Sequence, residues 1–235
     1  MALNSLMTAY RAADYALALE ETEKLKRGGS KTPEYCFYRG ALLHKLGQFV
    51  EAEAILREGL PLQPDDRFRA LTYNTLAEVL MDQKRFDESI ECFRNAGRAW
   101  PGRGSNLRGV AEVWLRQGDH LAEALESARQ AVEIDRRADG MVTEALDQRL
   151  GEDLGVLAWA VAANSGSLSE VEPMLTEAFR LCGTRSKPVL AQLHYHAGRA
   201  YKAIQERAKS QEHFRNASEI EPQGVFGRLA HAEMS

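Results

Sequence analysis

Apolar residues recur along this chain at the three- and four-residue spacing of amphipathic helices, and the amphipathic stretches come in pairs. In YNTLAEVLMDQKRFDESIECFRNAGRAWP (73–101) one helical pattern runs to Met81, a polar DQKR follows, and a second pattern resumes at Phe86. The same logic is legible in 35–64, 107–135, 154–181 and 193–222, with 154–181 the most divergent and one extra residue in the central turn of 107–135. Small residues stand inside the first helix of successive segments: Gly40, Ala77 and Ala111, then Ala158 and Gly198. They predict close approach of neighbouring helix backbones, where Ala77→Leu would overpack by roughly 1–3 kcal/mol. Segments end on LQP (62–64), AWP (99–101) and IEP (220–222), with a looser KTP at 31–33, and proline stops a helix cleanly. Phe49, Phe86, Phe93, Trp114 and Phe214 are the expected gap fillers, and Gly47, Gly118 and Gly166 the expected turn residues with positive φ.

The repeating unit resembles the tetratricopeptide repeat, a helix–turn–helix of about 34 residues whose first helix (A) and second helix (B) stack on the next pair. The places that carry the resemblance are Tyr73, Leu76, Ala77, Leu80, Ser89, Phe93, Ala96 and Pro101, and again Gly198, Tyr201, Ser210, Phe214, Ala217 and Pro222. The resemblance implies an all-α fold, a right-handed superhelical solenoid filling the chain. Expected units are a degenerate first one at 3–32, then 33–66, 70–103, 104–137, a divergent longer one at 138–184, and 188–222, with 223–235 as a short cap. Residues 136–150 read as an insertion that lengthens the fifth A helix or adds a turn. Pro173 is expected in a first turn behind a Ser169–Glu172 capping box. The incomplete first unit is what a fragment of a longer array would show.

Composition narrows the function. Lys plus Arg is 30 against 34 Asp plus Glu, a net charge of −4, so no basic excess invites nucleic acid. The apolar run VLAWAVAA (156–163) is far short of the ~20 residues that cross a bilayer. Neither a secretory signal nor a disulfide framework is visible: Cys36, Cys92 and Cys182 are scattered and odd in number, which suits the cytoplasm. All three read as packing residues.

Catalytic and cofactor chemistry finds no foothold. His194 and His196 sit two apart on one predicted helix and point away from each other, so no metal site is expected. GRGSN (102–106) lacks the Lys-Ser/Thr ending of a phosphate-binding loop, and the acidic runs alternate with Lys and Arg as on solvated helix faces. No catalytic residue, cofactor or metal is therefore assigned.

Function is expected on the surface that the repeat creates. The resemblance implies a concave groove lined by A helices, with Phe37, Ala41, His44 and Lys45; Asn74, Glu78 and Met81; Arg108, Glu112 and Leu115; and Tyr195, Arg199 and Lys202. Phe37, His44, Asn74, Glu78, Arg108, Glu112, Tyr195 and Arg199 are the candidate peptide-binding set. Phe37, Ala41 and Thr75 stand where a chaperone-binding carboxylate clamp needs Lys or Asn, so that clamp is not expected. The resulting expectation is a non-catalytic adaptor binding a partner protein or peptide, without nucleic acid or membrane insertion. The alternative is a self-associating spacer in a larger assembly, and a more distant one is a regulatory module of a multidomain enzyme. Reversing Arg108 and Arg199 together to Glu is expected to abolish capture while shifting the melting temperature by no more than a few degrees.

Overall fold

The computed structural model describes residues 2–63, 65–137, 144–184 and 186–235. Among them the chain is all-α, with one isolated bridge, Arg27 to Ser30, outside the helices. Helices follow in pairs: α1 (Ala2–Arg11) and α2 (Tyr15–Thr22), α3 (Pro33–Lys45) and α4 (Phe49–Gly59), α5 (Asp66–Asp82) and α6 (Phe86–Ala99). Then come α7 (Ser105–Gln117) and α8 (Leu121–Arg137), α9 (Glu144–Ala163) and α10 (Leu168–Cys182), α11 (Lys187–Ala203) and α12 (Arg207–Ile220), and a last helix, α13 (Val225–Met234). The odd-numbered members of the six pairs are the A helices. Met141 and Val142, which were expected to extend the fifth A helix, lie outside the described residues. Two compact units emerge, Met1–Pro101 with Gln223–Val225, and Gly102–Pro222 with Phe226–Ser235.

Local chemistry sets the helix boundaries. Asp14, Thr32 and Asp65 each accept a bond from the backbone N–H three residues on, at 3.1, 3.1 and 2.7 Å, capping α2, α3 and α5. The turn inside each pair carries one left-handed residue or more: Ala13, Gly47, Lys84, Gly118 and His120, Ser165, and Gln205. In five of those turns the next residue donates to a carbonyl five positions back (Asp14 to Ala9, Gln48 to Leu43, Arg85 to Leu80, Gly166 to Val161, Glu206 to Tyr201), closing the helix end. Gly47 and Gly118 fill the expected role, but in the fifth pair Ser165 (φ 67°) takes the left-handed place and Gly166 follows it. A Cβ on Gly166 would meet the Val161 carbonyl at 2.6 Å, so glycine is required there for close approach.

The cap of α10 also differs from expectation. Ser167 and Glu170 form the capping box, with Ser167 N donating to Glu170 Oε2 at 2.8 Å. Pro173 consequently falls in the second turn, where its missing N–H leaves one helical bond unmade.

Packing within the pairs repeats too. A Cβ on Gly40 would lie 2.5 Å from Leu56, and one on Gly198 would lie 2.5 Å from the Phe214 ring. Ser89 donates to the Ala77 carbonyl at 2.7 Å and Ser210 to the Gly198 carbonyl at 3.0 Å, tying helix B to helix A at the same repeat position. Ser89→Ala should lower the denaturation free energy by about 1 kcal/mol, because the lost bond leaves an acceptor that helix packing already uses. Urea melts of the two proteins measure it, and an unchanged midpoint would deny the bond a structural role.

Candidate interaction surface

In the first unit, α3 and α5 bring Phe37, His44, Asn74 and Glu78 onto their paired surfaces. The Phe37 ring meets Phe68 edge-on at 5.1 Å. His44, only 3% exposed, places Nε2 2.7 Å from Asp82 Oδ2 and Nδ1 3.8 Å from Glu78 Oε2. Asn74 is buried, whereas Glu78 remains open to solvent on one side. This face is an aromatic step beside an acidic, histidine-bearing one.

The second unit gathers the other four candidates and adds residues that the sequence did not single out. On α7, Glu112 is buried: its Oε1 accepts from Arg116 Nε at 3.0 Å and Nη2 at 2.6 Å, and lies 3.5 Å from His196 Nε2. Burial opposes ionisation of Glu112, but Arg116 and His196 outweigh it and hold the carboxyl well below the usual range. Tyr195 on α11 packs against Trp159 of α9 at 6.2 Å, and the Arg199 guanidinium lies over the Trp159 ring at 4.5 Å. Arg199 also donates to Tyr195 Oη at 3.4 Å and to Glu233 at 2.7 Å, and Lys202 donates to the other oxygen of Glu233 at 2.7 Å. Burial pushes the Tyr195 phenol up, against the pull of Arg116 and Arg199.

Arg108 does not belong to this strip. It is buried, with Nη1 2.9 Å from Asp153 Oδ1 and Nη2 2.9 Å from Glu152 Oε2. The guanidinium is committed to holding α7 to α9, so reversing it should cost stability, contrary to the sequence-based expectation. Arg149 Nε lies 3.1 Å from Asp135 Oδ2 and Gly104 N donates to Asp135 Oδ1 at 3.1 Å, completing a charged cluster around the GRGSN turn. Sequence reasoning missed this cluster, although Asp135, Arg149, Glu152 and Asp153 lie within or beside the unusual 136–150 segment.

The histidines divide as their spacing implies. His196 turns toward Glu112, while His194 Nδ1 meets His213 Nδ1 of α12 at 2.9 Å, against Phe179. Among the described residues no group of three or more His, Cys, Asp or Glu is placed to hold a metal ion. Burial pushes His194 down to about 4, with the charge of His213 adding to it, and lowers His213 as well. Both rings are therefore neutral in the fold, so their contribution is intact above the unfolded value near 6.5 and fades as pH falls toward 4. Acidifying from pH 7 to 4.5 should cost roughly 1–3 kcal/mol through this pair. Urea melts should show that loss shrinking in His194→Gln/His213→Gln; an unchanged pH slope would remove the pair from the account.

The three thiols are free and buried, and burial pushes Cys92 up to about 11, Cys182 up to about 12 and Cys36 upward as well. They stay protonated and inert. No helix among the described residues is long and apolar enough to cross a membrane.

Comparison with known proteins agrees with this architecture. No curated protein matches the sequence. The solved structure of BtubC (BKLC) from P. vanneervenii is similar with a TM-score of 0.54 at 19% identity, covering 93% of this chain and 90% of that one. A putative kinesin light chain of Podosopora anserina with nearly identical TPR-like repeats superposes with a TM-score of 0.51 at 20% identity, covering 81% and 96%. Tetratricopeptide repeat models match residues 74–139 and 191–223, the stretches holding the Ser89–Ala77 and Ser210–Gly198 bonds. With paired helices, small-residue contacts and these two matches, the chain carries tetratricopeptide repeats at 74–139 and 191–223 within an all-α repeat fold.

Proposed function

We propose that the protein is a non-catalytic interaction scaffold whose A helices bind a partner protein or peptide. The observation that carries this reading is the strip on α7, α9 and α11 in which Arg199 and Lys202 reach solvent over Arg116, Trp159 and Tyr195, the two rings being only 2% exposed with α13 in place. Aromatic faces supply contact area at low entropic cost, and guanidinium and ammonium groups supply charge-assisted bonds to a carboxylate. Buried, protonated thiols support a surface that binds without covalent turnover. The proposed setting is the cytoplasm, in keeping with three unpaired cysteines.

The test is capture from lysate of the source cells by the full chain, by Arg199→Glu/Lys202→Glu, and by Arg207→Glu/Arg215→Glu on the exposed side of α12 as a charge-matched control. A partner kept by wild type and the control but lost by the double variant supports the reading. Equal capture by all three overturns it. Self-association is the second reading, favoured by the exposed Leu3 (44%) and Leu17 (43%) of the first helix pair. Light scattering across a concentration series decides it, since a constant monomer mass contradicts assembly.

A further inference from the structure

The last helix is the least expected part of the second unit. A cap that merely continued the array would meet only the preceding pair, α11 and α12, yet the Phe226 ring of α13 also reaches Arg116 of α7, two pairs earlier. Phe226 is 6% exposed, with its ring 5.7 Å from Tyr195 and 5.7 Å from His196, and 5.9 Å from the Arg116 guanidinium. Glu233 is gripped by Arg199 and Lys202, each at 2.7 Å. Phe226 and Glu233 are seven residues apart, two helical turns or about 10 Å, so they share one face. Ala230, fully buried, sits between them on that face, while His231 and Ala232 look outward. The pattern is that of a helix laid in a receptor groove with anchors at i, i+4 and i+7.

The entry to α13 is equally specific. A Cβ on Gly227 would fall well inside van der Waals contact with the Glu221 carbonyl oxygen, so the helix can fold back here only because position 227 is glycine. A ten-residue helix is marginal alone in water, and α13 therefore owes its order to its seat.

We propose that α13 is a built-in occupant of the A-helix strip, and that the partner is an amphipathic helix presenting an aromatic residue and, two turns on, a carboxylate. The partner displaces α13 by offering the same two anchors. This rests on the reading of the strip as the interaction surface, and it adds what the strip recognises and what keeps it closed. Tethering gives α13 an effective concentration on the order of millimolar, so a free helix of equal intrinsic affinity competes poorly until α13 is released.

The experiment uses the full chain and a fluorescein-labelled peptide spanning residues 223–235, read by anisotropy. Gly227→Ala favours helix but cannot keep the fold-back, so it releases α13 without touching either anchor's partners. Phe226→Ala/Glu233→Lys releases it by a second route. Hydrogen exchange of the α13 amides reports release, and circular dichroism reports that α1–α12 remain folded. Both released chains should bind the peptide at least roughly tenfold more tightly than wild type. Adding Arg199→Glu/Lys202→Glu, or placing Glu233→Lys in the peptide, should abolish the gain.

Equal affinity for wild type and the released chains, with α13 exchanging freely in the latter, overturns the proposal. So does a gain that survives charge reversal. Dimerisation of Gly227→Ala in place of peptide binding would make a second copy the occupant and overturn the external helix. If partner capture depends on Arg199 and Lys202 while the peptide never binds, the strip is an interaction surface but α13 is not its template. The two readings thus fail separately.

Discussion

Replacing Arg108 by methionine is expected to destabilise the second unit by about 3–5 kcal/mol at pH 8, a loss seen when one partner of a buried ion pair is removed. The guanidinium spans Glu152 and Asp153 at 2.9 Å each, and the Asp153 side chain is fully buried. Methionine fills similar volume, so the cost comes from stranded charge rather than a cavity. The size depends on pH in a definite direction. Burial pushes the Asp153 carboxyl up to about 7, Asp135 and Glu152 push it the same way, and Arg108 opposes them. A carboxyl raised in the fold contributes stability at low pH that is lost as pH rises through about 7. At pH 5 Asp153 is protonated and needs its cation less, so the penalty of Arg108→Met should be smaller there than at pH 8.

Arg103 lies in the same cluster and is itself pushed down to about 10 by burial and by the neighbouring Arg149 and Arg108. Asp153→Asn added to Arg108→Met should recover part of the loss, because it removes one stranded charge. Urea melts at the two pH values read all of this. A penalty below 1 kcal/mol, or one that grows on acidification, would contradict the burial argument.

Phe214→Ala should cost a similar 3–5 kcal/mol through loss of contact and the cavity left behind. Phe214 has no exposed surface, sits against the Gly198 backbone and lies 6.1 Å from the Tyr195 ring. Relaxation is limited because Ser210 already ties α12 to the Gly198 carbonyl. Repeat units exchange stability mainly with their neighbours, so the loss should appear first in α11 and α12. Hydrogen exchange on the variant measures it: amides of these two helices should lose protection ahead of α7. Uniform loss across the second unit would show tighter coupling than nearest-neighbour packing provides.

Much of the architecture was legible from spacing. Gly198 with Phe214, and Ala77 with Ser89, name their own contacts once the repeat is aligned, because a small residue on one helix and its partner on the next recur at fixed places. The turns were less legible. Lys84, Ser165 and Gln205 adopt the left-handed conformation without being glycine, since the carbonyl bond of the following residue repays the local strain. No side-chain type announces such a position.

The candidate surface divides more sharply. Tyr195 and Arg199 stand where helix-A periodicity puts them and meet Glu233 and Phe226. Arg108, at the equivalent register on α7, instead finds Glu152 and Asp153. Register gives the direction of a side chain, but the charges it meets come from α9, far away in sequence. The partnership of Phe226 and Glu233 with α11 was hidden for the same reason, being a contact between distant segments that no repeat position encodes.

The central claim is that the A-helix strip of the second unit is where a partner binds. The direct measurement is the hydrogen-exchange footprint of the full chain with and without the partner recovered by capture. Protection should rise in α11 around Tyr195–Lys202 and in α7 around Arg116, with α13 amides exchanging faster as that helix leaves its seat. Protection confined to the exposed sides of α8, α10 and α12, with α11 and α13 unchanged, would contradict it.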